Sequence, residues 1–311
     1  MSERAPGGVV IHNQPVADFS HLTRPEDLAP ISRIQNVATV IVPESLAAAY
    51  AAIPSSNVAT TIYVPSGDNV RVHSGVLVTG GDGLGAADDV LIVVGMLLIT
   101  TPVTAPLPKR IYVAGSVLAP RGSEALLGQA LASGSGSISY YPHAEGQDVK
   151  ILSGQVKLSG AMLANPAGGP EDILVAAGQV VVTGQVTTVG YRTVVISGQF
   201  AGPAPSRDTL EPVAHIQGQA AWYEGGGSPR VFNGDASLGP EFFRALDHPV
   251  GLVVFGDLIV GAGVTEAMVR EKITGITVFG DATAPPELIG VLQALATDVF
   301  GDIVASDGPG S

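Results

Sequence analysis

The chain has 311 residues, 46% hydrophobic and 14% charged, with 40 Gly, 23 Pro and no Cys. Lack of Cys removes disulfides, thiolate nucleophiles and cysteine metal sites. A formal net charge of −13 disfavours nucleic-acid backbones and anionic membrane surfaces, and abundant Gly with only 5% aromatic residues points to tight, repeated turns.

Residues 1–30 are polar and Pro-containing, with no apolar signal core, and read as a mobile N-terminal arm. Then Asn36-Val37-Ala38-Thr39-Val40-Ile41-Val42-Pro43 recurs as Asn57-Val58-Ala59-Thr60-Thr61-Ile62-Tyr63-Val64-Pro65, 21 residues on. Between the copies, Leu46, Tyr50 and Ile53 fall at helical spacing. The Gly80–Asp89 stretch has Gly85 where a calcium nonapeptide requires Asp, and it lacks the Lys and Ser/Thr of a phosphate loop. It reads as a flexible surface loop. The longest apolar run, Val90–Thr100, is about half the ~20 residues of a spanning helix, so a cytoplasmic protein without membrane contact is expected. Ile111–Pro120 is a third variant of the Asn36 pattern and leads into a helical stretch, Glu124–Leu131.

The turn-rich Tyr140–Asp148 segment places His143 and Glu145 together as candidates for binding or general acid–base work; a solvated loop is the alternative. Gly-Gln pairs begin at 154, 178, 184, 198 and 218 among alternating apolar residues, a strand signature. Their irregular steps read as a degenerate coil. Trp222 and Tyr223, followed by Glu224, are candidate sugar-stacking or partner-anchoring residues, the alternative being a Trp that closes one end of a core.

The last quarter carries the clearest repeat. Val-Phe-Gly-Asp occurs at 254–257, 278–281 and 299–302, with a near copy, Val231-Phe232-Asn233-Gly234-Asp235. The glycines are 22, 24 and 21 residues apart. Helices are expected from Pro240 and Pro286, because Pro suits the first helical position and the following Glu suits the positive helix end. The Pro-Glu pairs at Pro25, Pro43 and Pro170 read as turns or helix starts. Asp235, Asp257, Asp281 and Asp302 could stack and hold a hard cation, or each could cap a turn through its own backbone. No two histidines have metal-ligand spacing, and no catalytic residue, metal or cofactor is expected. Residues 307–311 read as a flexible tail.

Gly256-Asp257-Leu258-Ile259-Val260 and Gly301-Asp302-Ile303-Val304-Ala305 resemble the coil motif of bactofilins, bacterial cytoskeletal β-solenoids that polymerise without nucleotide. The resemblance covers about the last quarter of the chain. The period is longer here and helical segments intervene. Period and strand-plus-helix unit are also similar to leucine-rich repeats, without the Leu-x-x-Leu-x-Leu-x-x-Asn pattern. Matching periods at both ends predict a single continuous β-rich α/β solenoid over residues 31–306, with parallel coils of about 21–24 residues, some carrying short helices. A structural scaffold that self-associates through its edges or ends is expected. The alternative is a carbohydrate-binding or carbohydrate-modifying β-helix.

Overall fold

The structure, a computed structural model, describes residues 2–5 (as backbone), 8–132, 136–224 and 227–306. The expected tail, 307–311, lies outside them. The chain forms two compact units, Met1–Ala144 and Glu145–Ser311, and each is a β-rich, parallel, solenoid-like array made of two stacks of coils.

In the first unit, β1 (Ser2–Ala5) lies antiparallel on β2 (Gly8–Asp18), which continues in parallel to β3 (Ile31–Pro43) and β4 (Ser55–Val64). The second stack is β5 (Asn69–Thr79), β6 (Asp89–Ile99), β7 (Arg110–Pro120) and β8 (Ser137–Tyr141). In the second unit, the third stack is β9 (Val149–Ser159), β10 (Ile173–Thr183), β11 (Thr193–Pro203) and β12 (Ala214–Tyr223). The fourth stack has two ladders per coil. One is β13 (Arg230–Phe232), β15 (Val250–Val254), β17 (Ile273–Val278) and β19 (Ala296–Val299); the other is β14 (Ala236–Leu238), β16 (Leu258–Val260), β18 (Ala282–Ala284) and β20 (Ile303–Ala305).

Every stack carries one backbone break per coil at a fixed register. In the first it falls at Asn13, Asn36 and Asn57, each at φ 53°. Asn accepts this left-handed conformation better than other residues with a side chain, and here its amide is also used: Asn36 Nδ2 donates to Asn13 Oδ1 at 3.0 Å, and Asn57 Nδ2 to Asn36 Oδ1 at 2.9 Å. In the second stack the break is the aligned column Gly75, Gly95 and Gly115. In the third it is Gly154, Gly178, Gly198 and Gly218. A Cβ on Gly178 or Gly198 would collide with the glycine carbonyl of the neighbouring coil. The following glutamines form their own ladder, Gln179 Nε2 to Gln199 Oε1 at 3.4 Å and Gln199 Nε2 to Gln219 Oε1 at 3.0 Å. The middle of the chain is therefore a regular array, not a degenerate coil. Gly184-Gln185 stands outside the column, and counting it made the steps irregular.

Short helices follow the strands and drop apolar side chains into the core of their own stack. Examples are α1 (Ala47–Ala51) with Tyr50, α2 (Glu124–Ala130) with Leu127, α3 (Gly160–Leu163) with Leu163 and α4 (Arg207–Leu210) with Leu210. In the fourth stack, α5 (Pro240–Arg244), α6 (Glu266–Lys272) and α7 (Ile289–Leu295) contribute Phe243, Val269, Val291 and Leu292. The helical spacing of Leu46, Tyr50 and Ile53 and the expected helices from Glu124, Pro240 and Pro286 are realised here, with α1 and α7 each preceded by a 3-10 turn, Glu44–Leu46 and Pro286–Leu288. Pro43, Pro120 and Pro203 end their strands, where a missing N–H does no harm to the ladder.

The second and third stacks repeat each other at a step of 83 residues. Asp89, Gly95, Val103, Gly115, Ser123 and Leu127 correspond to Asp172, Gly178, Val186, Gly198, Ser206 and Leu210. The contacts repeat too. The Val103 amide donates to fully buried Ser123 Oγ, and the Val186 amide to fully buried Ser206 Oγ. Tyr141 Oη donates to the Ile99 carbonyl and Tyr223 Oη to the Val182 carbonyl, both at 2.7 Å.

Two expected loose segments are packed. Residues 8–30, expected as part of a mobile arm, contribute β2 to a ladder, with Ala17, Phe19 and Leu28 buried in the first core. The Gly80–Asp89 connection buries Leu84 and Asp89 instead of lying free, because the Asp89 carboxylate accepts from the Ala86 amide and Asn69 Nδ2. Sequence composition signals a turn there but is silent on the side chains that hold it down.

The glycine column carries a test. Gly198→Ala places a side chain at φ 125° against a carbonyl and is expected to cost about 1–3 kcal/mol or more. Gly128→Ala, on the open face of α2, is expected to stabilise by up to about 1 kcal/mol. Urea denaturation of the two variants reads the opposite signs.

Candidate functional site

Val-Phe-Gly-Asp is the corner of the fourth stack, where the chain passes from one ladder to the other. Each aspartate reaches along the stack. Asp235 Oδ1 accepts from the Asp257 amide, Asp257 Oδ1 from the Asp281 amide and Asp281 Oδ1 from the Asp302 amide, all at 2.9 Å. The backbone satisfied is thus the next coil's, not the residue's own as the turn reading supposed. These amide donors offset the mutual repulsion of the column. Gly256, Gly280 and Gly301 leave room for the carboxylate of the preceding coil, which a Cβ would strike. Among the described residues, no group of three or more metal-ligating side chains is gathered for an ion.

The phenylalanines form a second column. Phe255 and Phe279 stack with centroids 4.9 Å apart, and Phe279 and Phe300 at 5.0 Å. The near copy departs from this. Its extra residue puts Phe232 in register with Val254, packed against the inner core and Phe242, while Asn233 takes the position before the Gly.

Both columns stop at the last described coil. Phe255 and Phe279 are 4% and 5% exposed, whereas Phe300 is 41% exposed. Val304 is also exposed, Ile303 is half-buried, and β19 and β20 are the outer strands of their sheets. No coil follows to donate an amide to the Asp302 carboxylate among the described residues. Among the described residues, the last coil of the fourth stack thus presents two parallel strand edges, an aromatic face and a carboxylate acceptor.

The residues selected from sequence are scattered. Tyr223 is 3% exposed and its hydroxyl is spent on Val182, so it belongs to the core; burial pushes its phenol up to about 12. Trp222 points the other way along the same strand and is half-buried, edge-on to Phe200 at 5.2 Å. The Arg207 guanidinium lies 5.6 Å from its ring, and Asp298 Oδ2 accepts from its amide at 3.2 Å. A polar recess of about 570 Å³ adjoins it, with Arg207, Glu211, Glu224 and Asp298 in its wall. His143 is near the end of the first unit. Both its ring nitrogens are buried without a hydrogen-bond partner, the ring stands edge-on to Tyr141 at 6.4 Å, and burial lowers its pKa. Glu145, the first residue of the second unit, is exposed.

Comparison with protein-family models, with curated proteins and with solved structures finds no match for this chain. Function has to be argued from the geometry. No helix among the described residues is long and apolar enough to cross a membrane.

Sequence reasoning missed two buried acids. Asp172 is held by Asn165 Nδ2 at 3.1 Å, by Lys150 Nζ at 3.2 Å and by the Gly169 amide; these, the Asn165 bond first, keep its carboxyl below the usual range. Asp89 has the Ala86 amide, Asn69 and Arg71 in the same roles, with the same direction of shift. The signal was a Gly shortly before each Asp, Gly169 three residues before Asp172 and Gly85 four before Asp89, which is common in turns and carries no weight alone. Both pairs pin the connection between two coils.

Three outcomes follow from these contacts. Asp281→Ala is expected to lower stability by about 1 kcal/mol and Asp281→Asn, which keeps an oxygen acceptor, by less; millimolar calcium should leave the melting temperature of the wild type unchanged, as calorimetry would show. His143 resists a proton that the unfolded chain accepts, so its contribution is present above about pH 6.5 and is lost as pH falls below it. His143→Leu should flatten that part of the stability profile between pH 7.5 and 5.5. Asp172, with a lowered folded pKa, contributes stability that is lost only as pH falls below the ordinary carboxylate value, so Asp172→Asn should reduce the acid sensitivity seen below about pH 4.

Proposed function

We propose that this chain is a structural protein that associates with further copies of itself through the open end of its fourth stack. The observation that supports this reading is the exposed last described coil, which repeats the Phe and Asp columns of the inner coils and has no neighbouring coil beyond it among the described residues. Exposed strand edges and apolar terminal faces drive pairing unless they are capped. Among the described residues the array is also polar: the carboxylates of Asp235, Asp257 and Asp281 each accept from the next coil's amide and that of Asp302 has no such donor, so the two ends differ. Contacts between unlike ends do not close on themselves in pairs but extend into rings or open polymers. The Gly-Asp motif's resemblance to bactofilins supports the same reading by fold analogy alone.

At Trp222 the Arg207 guanidinium covers the ring and Tyr223 is turned inward, which leaves no open aromatic platform of the kind a sugar would stack on.

Light scattering over a concentration series, with electron microscopy of the same samples, tests the proposal. The wild-type mass should rise with concentration. Phe300→Glu should hold the protein monomeric while lowering the melting temperature by no more than a few degrees, because the site is already 41% exposed. A wild type that remains monomeric throughout would sink the reading.

A further inference from the structure

The two units contain inter-stack seams that are built alike and filled differently. In the second unit, Phe255 and Phe279 each precede a corner glycine and face the third stack, packing with Val181, Ala201 and Ala221. Their rings fill the seam and are nearly buried. In the first unit, the residues preceding the corner glycines Gly95 and Gly115 are Val94 and Ala114. They face the first stack across the same kind of seam, which Ile41, Ile62 and Ile92 close on one side. Val94 and Ala114 remain only half-buried. A cleft of about 630 Å³ is left beside them, with Thr39, Thr60 and Tyr112 on its walls. This size lies within the range of small-molecule sites, about 300–1,000 Å³.

The walls restrict what can enter. Among the described residues no charged side chain lines the cleft, so an ion would lose its hydration without a partner. The sides are β-strands, which present flat surfaces. Threonine and tyrosine hydroxyls stand where a polar substituent could be met, and the Tyr112 phenol is raised by burial, in keeping with a sheltered wall. The second unit shows the contents that such a seam packs around, namely stacked planar rings 4.9 Å apart.

We propose that the cleft between the first and second stacks binds an uncharged, flat aromatic small molecule, seated where the phenylalanine rings sit in the second unit. The cleft is lined by first-unit residues alone, and its occupancy does not depend on self-association.

The test uses the full chain and two dyes, neutral Nile red and anionic 8-anilinonaphthalene-1-sulfonate. Nile red should bind saturably at about one site per chain, and the anion at least about tenfold more weakly. Ala114→Phe fills the cleft as the second unit does and should weaken Nile red by at least about tenfold without lowering the melting temperature. If that variant fails to fold, Thr60→Lys, at an exposed wall position, should give the same loss by charge. Phe300→Glu should leave Nile red binding unchanged. The proposal is overturned by an absence of saturable binding, by equal affinity for the anion, by unchanged affinity in a folded cleft variant, or by loss of binding in Phe300→Glu, which would place the dye on the terminal coil.

Discussion

Each coil must turn its backbone at the same point as the coil beneath it, and the whole molecule depends on how that one position is handled. The first stack uses Asn in the left-handed region and converts its side chain into a ladder. The second uses bare Gly. The third uses Gly followed by a ladder of Gln, and the fourth uses Gly-Asp with carboxylates bonded to the next backbone. All four solutions satisfy the requirement that a polar backbone at a break finds partners while neighbouring coils approach closely. Once the breaks are in register, the strand segments beside them are in register, with shifts only near strand starts, and the inward and outward faces of those segments are fixed.

The seams follow from that register. The residue just before a corner faces the adjacent stack within its unit, so a single column sets how full the seam is. Phe255 and Phe279 in that column close the seam of the second unit beside them, and a cleft of about 440 Å³ remains where Asn233 stands in the column. Val94 and Ala114 leave the first unit's seam open. The stack cores beneath are built in all four cases largely from Val, Leu and Ile, with helices adding further apolar side chains. Variation is confined to the columns, and function is expected to follow the columns too.

Much of this was legible in the sequence. The 21-residue step from Asn36 to Asn57 and the Gly-Asp steps are true coil repeats, and helices begin at the prolines that suggested them. Asn13, the first member of its column, was missed because its neighbours Gln14 and Pro15 do not share the Val-Ala-Thr pattern. Gly184 was miscounted because a Gly-Gln pair looks the same in a strand and in a connection; only strand pairing separates them. Tyr223 and Trp222 could have been told apart, since consecutive residues on a strand point to opposite faces and cannot both be presented to a ligand. Asp89, Asp172, Ser123 and Ser206 were not legible, because their partners lie in other turns of the chain. The register of the near copy at Phe232 was likewise hidden by one inserted residue.

That inserted residue, Asn233, has a wider consequence. It sits in the first coil of the fourth stack, where β13 and β14 are edge strands with a neighbour on one side only. Within the array, a single extra residue is taken up as a bulge near the start of a strand, as at Thr274 of β17, where pairing with β15 shifts after Val250 and the pairs beside the corner stay in step. A whole additional coil would disturb nothing, since it brings its own corner, inward side chains and ladder contacts. Length change in such a chain therefore has two outlets: one-residue shifts fall at strand starts, in the loops or at the ends of a stack, and larger changes come as entire turns.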